Sequence, residues 1–111
     1  MKAYIVGLIH KTRFGPDVVE YLRHIDATLA PFAGRYLVHG GPYLPLEGEP
    51  AGDLIVIEFP SKDQALGWYH SDDYSRIKPL RTNHCDGVVF MASGVPDTHK
   101  ATDILTAAPE A

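Results

Sequence analysis

Three short segments of this chain are apolar at consecutive positions. Residues 2–10 carry Tyr4, Ile5, Val6, Leu8 and Ile9; Asp53–Phe59 reads Asp-Leu-Ile-Val-Ile-Glu-Phe; and residues 87–94 read Gly-Val-Val-Phe-Met-Ala-Ser-Gly. Side chains of a strand alternate between its faces, so strands of this kind require apolar cover on both. Only 111 residues are present to supply it. That length makes one compact domain, and a monomer of such a size buries roughly two-thirds of the surface its unfolded chain exposes. A second subunit that covers more apolar area would therefore stabilise it.

Helical signals lie between these segments. Residues 11–16 read as a turn, and Asp17 favours a helix start. Val18, Leu22, Ile25, Leu29 and Phe32 then recur at steps of 4, 3, 4 and 3, one face of a helix. Pro31 and Gly34 end it. Residues 35–41, Arg-Tyr-Leu-Val-His-Gly-Gly, read as a second strand with a glycine-rich exit, and residues 42–52, with three prolines and two glycines, as an extended loop. Pro60 closes the third strand. Ser61 and Gln64 form a capping box for a helix through Tyr69, and Ser71 is a fresh N-cap for a second piece over residues 72 to about 80.

Strand, helix, strand, strand, helix, strand is the split βαβ order of α+β ferredoxin-like folds, βαββαβ. Right-handed crossovers place strands one and three at the centre of a four-stranded antiparallel sheet, with both helices on one face. The other face is bare, and a second copy of the same sheet is the simplest cover. Residues 1–94 form this domain. Residues 95–111, rich in Thr, Ala, Pro and Asp, read as a loosely ordered tail anchored mainly by Ile104 and Leu105.

Four local signatures occur in a fixed order: Gly34-Arg35-Tyr36-Leu37-Val38-His39-Gly40-Gly41, then Glu58-Phe59-Pro60-Ser61, then Ala65 with Trp68-Tyr69 and residues 71–74, then Arg81. With them the chain resembles the domain-of-unknown-function family 1330 of the dimeric α/β-barrel superfamily, over residues 2 to about 93. The resemblance implies a homodimer whose two sheets face each other, and a cavity between each sheet and its helices or loops. It implies no common activity. His39 stands where many members carry another basic residue, and the tail lies outside the pattern.

Strict alternation puts Arg35, Leu37 and His39 on one face of strand two. If Ile55, Ile57 and Phe59 pack under the helices, Glu58 points away from them, where Arg35 or His39 can join it. An arginine, a histidine and a glutamate together can bind a carboxylate or phosphate, or move a proton near neutral pH, which makes His39 and Glu58 the candidate catalytic pair. A structural Arg35–Glu58 ion pair at the sheet rim or dimer interface accounts for the same residues. Trp68 and Tyr69 follow Ala65 at i+3 and i+4 and suit the wall of a small-molecule pocket, joined by Tyr74 and Arg81; core packing is the stronger account of the same residues, because an amphipathic helix must bury one face on the sheet anyway.

Several classes are disfavoured. Lys and Arg number 10 against 14 Asp and Glu, a net charge of −4 without a basic stripe, so no nucleic-acid partner is expected. The six histidines make no HExxH or His-x-His pattern and no metal site is expected, while the glycines form no phosphate-cradling loop and no cofactor is expected. The single Cys85, beside His84, fits a reducing cytoplasmic setting and an unreactive thiol. No apolar stretch is long enough to span a membrane. The expectation is a homodimer binding a small organic molecule. A cofactor-independent oxygenase or isomerase with His39 or Glu58 as proton acceptor and a purely structural or interaction module are the alternatives.

Overall fold

The computed structural model describes residues 1–50 and 52–105. Its elements are β1 (Ala3–Thr12), α1 (Pro16–Leu29), β2 (Arg35–His39), β3 (Asp53–Phe59), α2 (Lys62–Tyr69), α3 (Asp72–Thr82) and β4 (Cys85–Ser93), with short 3₁₀ turns at Ala30–Phe32 and Ala101–Leu105. The antiparallel sheet has the order β2-β3-β1-β4, so the first and third strands are central and the fold is ferredoxin-like. No helix among the described residues is long and apolar enough to cross a membrane. Residues 95–105 are exposed throughout, including Ile104 and Leu105. The end of the expected tail, residues 106–111, lies outside the described residues.

Capping divides the second helical region as the serines require. Ser61 Oγ accepts from the Gln64 backbone N–H, and Ser71 Oγ from that of Tyr74, each at 3.2 Å. This satisfies one orphan donor at the start of α2 and one at the start of α3. Ala33, not Gly34, adopts the left-handed conformation, with φ 56°. Gly34 is needed for space, because a Cβ there would lie 2.7 Å from Phe59 Cε1 and 2.8 Å from Leu29 Cδ2.

The helices cover the face carrying Ala3, Ile5 and Ile9 of β1 and Ile57 and Phe59 of β3. These residues form the core with Tyr21, Ile25, Leu29, Ala65, Trp68 and Tyr74. The buried stripe of α1 is Val18, Tyr21, Ile25, Thr28 and Leu29, which corrects the expected one: Leu22 stays 42% exposed and Phe32 is only half-buried in the 3₁₀ turn. Tyr21 turns inward because its hydroxyl finds a partner across the helix layer, Tyr74, at 2.8 Å.

Two strands carry an extra residue, and both departures from strict pairing matter. In β2 the register passes from Tyr36 opposite Ile57 to Val38 opposite Val56, leaving Leu37 as a bulge. In β1 it passes from Ile9 opposite Gly87 to Lys11 opposite Asp86, leaving His10. The extra residue in each restarts the in-and-out alternation. The first strand thereby runs on to Thr12 where the sequence suggested a turn.

Candidate functional site

The extra residue of β2, Leu37, moves His39 to the other side of the sheet from Arg35. Beyond it Val38 takes the uncovered face and His39 faces the helices, stacked on Tyr36 with ring centroids 4.4 Å apart. The expectation that Arg35 and His39 share a face is thus overturned by one inserted residue, which a strict period of two cannot anticipate. His39 and Glu58 do not come together.

His39 instead lines a cavity of about 250 Å³ between the sheet and the helices. Ile5, Gly7, Ile9, Ile55 and Ile57 give it a floor, while Val18, Tyr21 and Ile25 of α1 form one wall. Trp68, Tyr74 and Arg81 complete the helix side. Thr12, Phe14, Asp53 and Cys85 also line it. The cavity exists partly because a central strand has no side chain at its midpoint. An added Cβ on Gly7 would make only ordinary van der Waals contacts, 3.7 Å to Ile55 Cβ and 3.9 Å to Ile9 and Val89, so nothing there would clash with a side chain.

Polar atoms on the helix side are organised rather than scattered. Trp68 Nε1 donates to Thr28 Oγ1 at 2.9 Å, and Thr28 in turn donates to the Ile25 carbonyl at 2.6 Å. The indole N–H is therefore occupied inside the protein, and Trp68, 1% exposed, serves mainly as wall and core. Tyr21 and Tyr74 share a hydrogen bond, and Arg81 donates to the Tyr74 hydroxyl at 3.4 Å. Burial, and then the neighbouring Tyr74, hold the Tyr21 hydroxyl far above the ordinary tyrosine range; burial likewise keeps Tyr36 protonated. Both phenols remain hydrogen-bond donors at any physiological pH.

Three candidates from the sequence lie outside this cavity. Tyr69 is half-buried at the back of the aromatic cluster, with its ring 5.6 Å from that of Tyr74 and the Lys78 ammonium 4.6 Å from its centroid. Arg35 and Glu58 sit opposite one another on the uncovered face, with Arg35 Nε 3.1 Å and Lys2 Nζ 3.4 Å from Glu58 Oε1. Partial desolvation would raise the Glu58 pKa, but its bond to Arg35 and the charge of Lys2 outweigh this and hold it below the usual carboxylate range. A carboxylate so held is a weak proton acceptor.

His84 lies 3.0 Å from Asp17 and so does not serve Cys85, whose Sγ is 3.6 Å from Thr12 Oγ1. Sequence reasoning missed Tyr21 and Tyr36 as cavity residues. Tyr21, Ile25 and Thr28 follow steps of 4 and 3 as well as the stripe through Leu22 does, and that alternative was the available signal.

The uncovered face is largely apolar. It carries Tyr4, Val6 and Leu8 of β1, Leu54 and Val56 of β3, and Val88, Phe90 and Ala92 of β4, paired in register across the three strands. Val88 is 50% and Phe90 47% exposed. A contiguous surface of this kind marks an interaction site more often than a free exterior.

Comparison with known proteins places these features. The family described as a domain of unknown function, DUF1330, matches residues 2–95. No curated protein matches the chain. Among solved structures, a protein of unknown function from Rhodopseudomonas palustris is similar with a TM-score of 0.62 and 13% identity, over 86% of this chain and 83% of that one. A dimeric ferredoxin-like protein of unknown function from Jannaschia sp. CCS1 has a TM-score of 0.65 and 10% identity, over 85% of this chain and 100% of that one. SnoaB, a cofactor-independent oxygenase from Streptomyces nogalater, has a TM-score of 0.55 and 8% identity, over 89% of this chain and 98% of that one.

Proposed function

The chain belongs to the family described as a domain of unknown function, DUF1330, and from the cavity we infer that it is a homodimeric protein that binds a small organic molecule between its sheet and its helices. The observation that carries this reading is the cavity itself, which Gly7 lines from the middle of β1. The layer is closed by Phe59, Trp68 and Ala65 at one end, yet holds about 250 Å³ toward the other. Interiors are otherwise close-packed, so unfilled apolar volume costs stability unless something occupies it. Pairing through the uncovered face is supported by its apolar surface and by the dimeric ferredoxin-like neighbour.

A second reading adds chemistry to the same cavity. His39 is turned into it by the bulge and held by stacking on Tyr36, a position from which a neutral imidazole can take a proton from a bound molecule. The likeness of fold to a cofactor-independent oxygenase is compatible with this role. Glu58, on the opposite face, serves in this reading as an interface ion-pair partner.

One experiment addresses both. A panel of small aromatic and aliphatic compounds is screened for changes in melting temperature and in Trp68 fluorescence, using the full chain and Gly7→Leu. Binding to the parent and its loss in Gly7→Leu are expected, since the leucine fills the floor without crowding the backbone. Equal binding by both chains would put the ligand elsewhere and end the cavity reading, while a panel with no ligand at all would favour a structural or interaction module. Any compound that is turned over is then tested with His39→Gln. Binding without turnover supports the enzymatic reading, and unchanged turnover removes it.

A further inference from the structure

Resting on the cavity as a ligand site, we propose that its occupant is a small organic anion, with an apolar body against the isoleucine floor and one carboxylate-type group against Arg81, Tyr74 and Tyr21. Donors outnumber acceptors around Arg81. Two tyrosine hydroxyls 2.8 Å apart bring two O–H hydrogens, and only one can lie between the oxygens. Whichever ring donates, the other hydrogen is directed elsewhere. Arg81 adds a guanidinium that can only donate, and one of its N–H groups reaches the Tyr74 hydroxyl. The cluster therefore offers spare donors and, apart from the two hydroxyl oxygens, no acceptor.

Charge points the same way. Arg13, Arg35 and Arg76 have exposed side chains, and each has a carboxylate within 3.4 Å. Arg81 is half-buried, its guanidinium carbon 5.7 Å from the centre of the Tyr21 ring, and makes no salt bridge among the described residues. The arginine most withdrawn from water is thus one that lacks a counter-ion. Burying a cation without one is costly, and an anion seated in the cavity would offset that cost through charge-assisted bonds from a planar fork. Asp53, which also lines the cavity, is exposed to solvent, and its charge is screened there. The volume of about 250 Å³ lies below the ~300–1,000 Å³ of most ligand pockets, which limits the body to a single ring or a short chain.

The test compares acids with their uncharged amides on the full chain, beginning with phenylacetate and phenylacetamide and extending to a panel of aromatic and aliphatic pairs, by isothermal titration. The acid is expected to bind at least about tenfold more tightly than its amide, as a charged hydrogen-bond partner warrants. In Arg81→Gln the ratio falls to near one while amide binding persists, which also shows that the variant is folded. Tyr74→Phe, which keeps the ring packing, lowers the ratio part of the way. Equal binding of acid and amide by the parent, or an undiminished preference in Arg81→Gln, would overturn the inference and leave the cavity reading standing. Binding of neither member of any pair would overturn both together.

Discussion

The two faces of the sheet are built from alternate residues of the same strands, yet they are finished differently. Under the helices, Phe59 and Trp68 are sealed, the indole N–H is tied to Thr28, and a cavity of about 250 Å³ remains. On the reverse, Val88 and Phe90 stand about half exposed, and Arg35 and Lys2 are already paired with Glu58. Even the arginines divide this way: Arg35 has its glutamate, whereas Arg81 makes no salt bridge among the described residues. The covered face is complete except for a space that suits a molecule, and the uncovered face is complete except for a surface that suits a subunit. Core and cavity share side chains, among them Tyr21, Ile25, Trp68 and Tyr74, whereas the uncovered face draws on a separate set.

Truncating the covered face has the largest expected effect. Trp68→Ala removes a ring packed against Phe59 and Tyr74, with centroids 5.6 and 4.1 Å away, and should cost about 3–5 kcal/mol in denaturant unfolding. A loss below about 1 kcal/mol would show that the closed end is not the main core. Phe90→Asp on the reverse face should weaken association by about 2 kcal/mol or more per copy, seen as monomers in sedimentation equilibrium with unchanged helical content. Retention of the dimer would move the interface off the sheet.

The smallest effect concerns Glu58. Its folded pKa lies below the ordinary value of 4.5, so its pairing contributes fully above that value and is lost as pH falls through the lower, folded one. Glu58→Gln should accordingly flatten the acid limb of the stability–pH curve. An acid limb identical to that of the parent would show that the pairing contributes nothing to the folded state.

Much of the architecture was legible because it is written in local chemistry. The order of elements followed from apolar runs and turn residues, and the break between α2 and α3 followed from Ser71. Trp68, Tyr74, Arg81 and His39 were singled out and do line one cavity. Their supposed companions Arg35, Glu58 and Tyr69 were not separable from them in the sequence. Arg35 and His39 parted because the run Arg-Tyr-Leu-Val-His carries no glycine or proline to betray the bulge at Leu37. A cavity between the sheet and its helices was expected from the family resemblance, but the residues alone did not place it. A void is a property of how two layers meet, and Gly7 reads in the sequence only as a gap in a strand.

The bulge in β2 also has a consequence for how this protein can change over time. A strand is a counter with two states, and Leu37 advances the count by one, so Arg35 serves the reverse face while His39, four positions on, serves the cavity. No substitution can exchange those allegiances. The loss or gain of a single codon can, and it would hand the side chains at the end of the strand from the cavity to the uncovered face in one step.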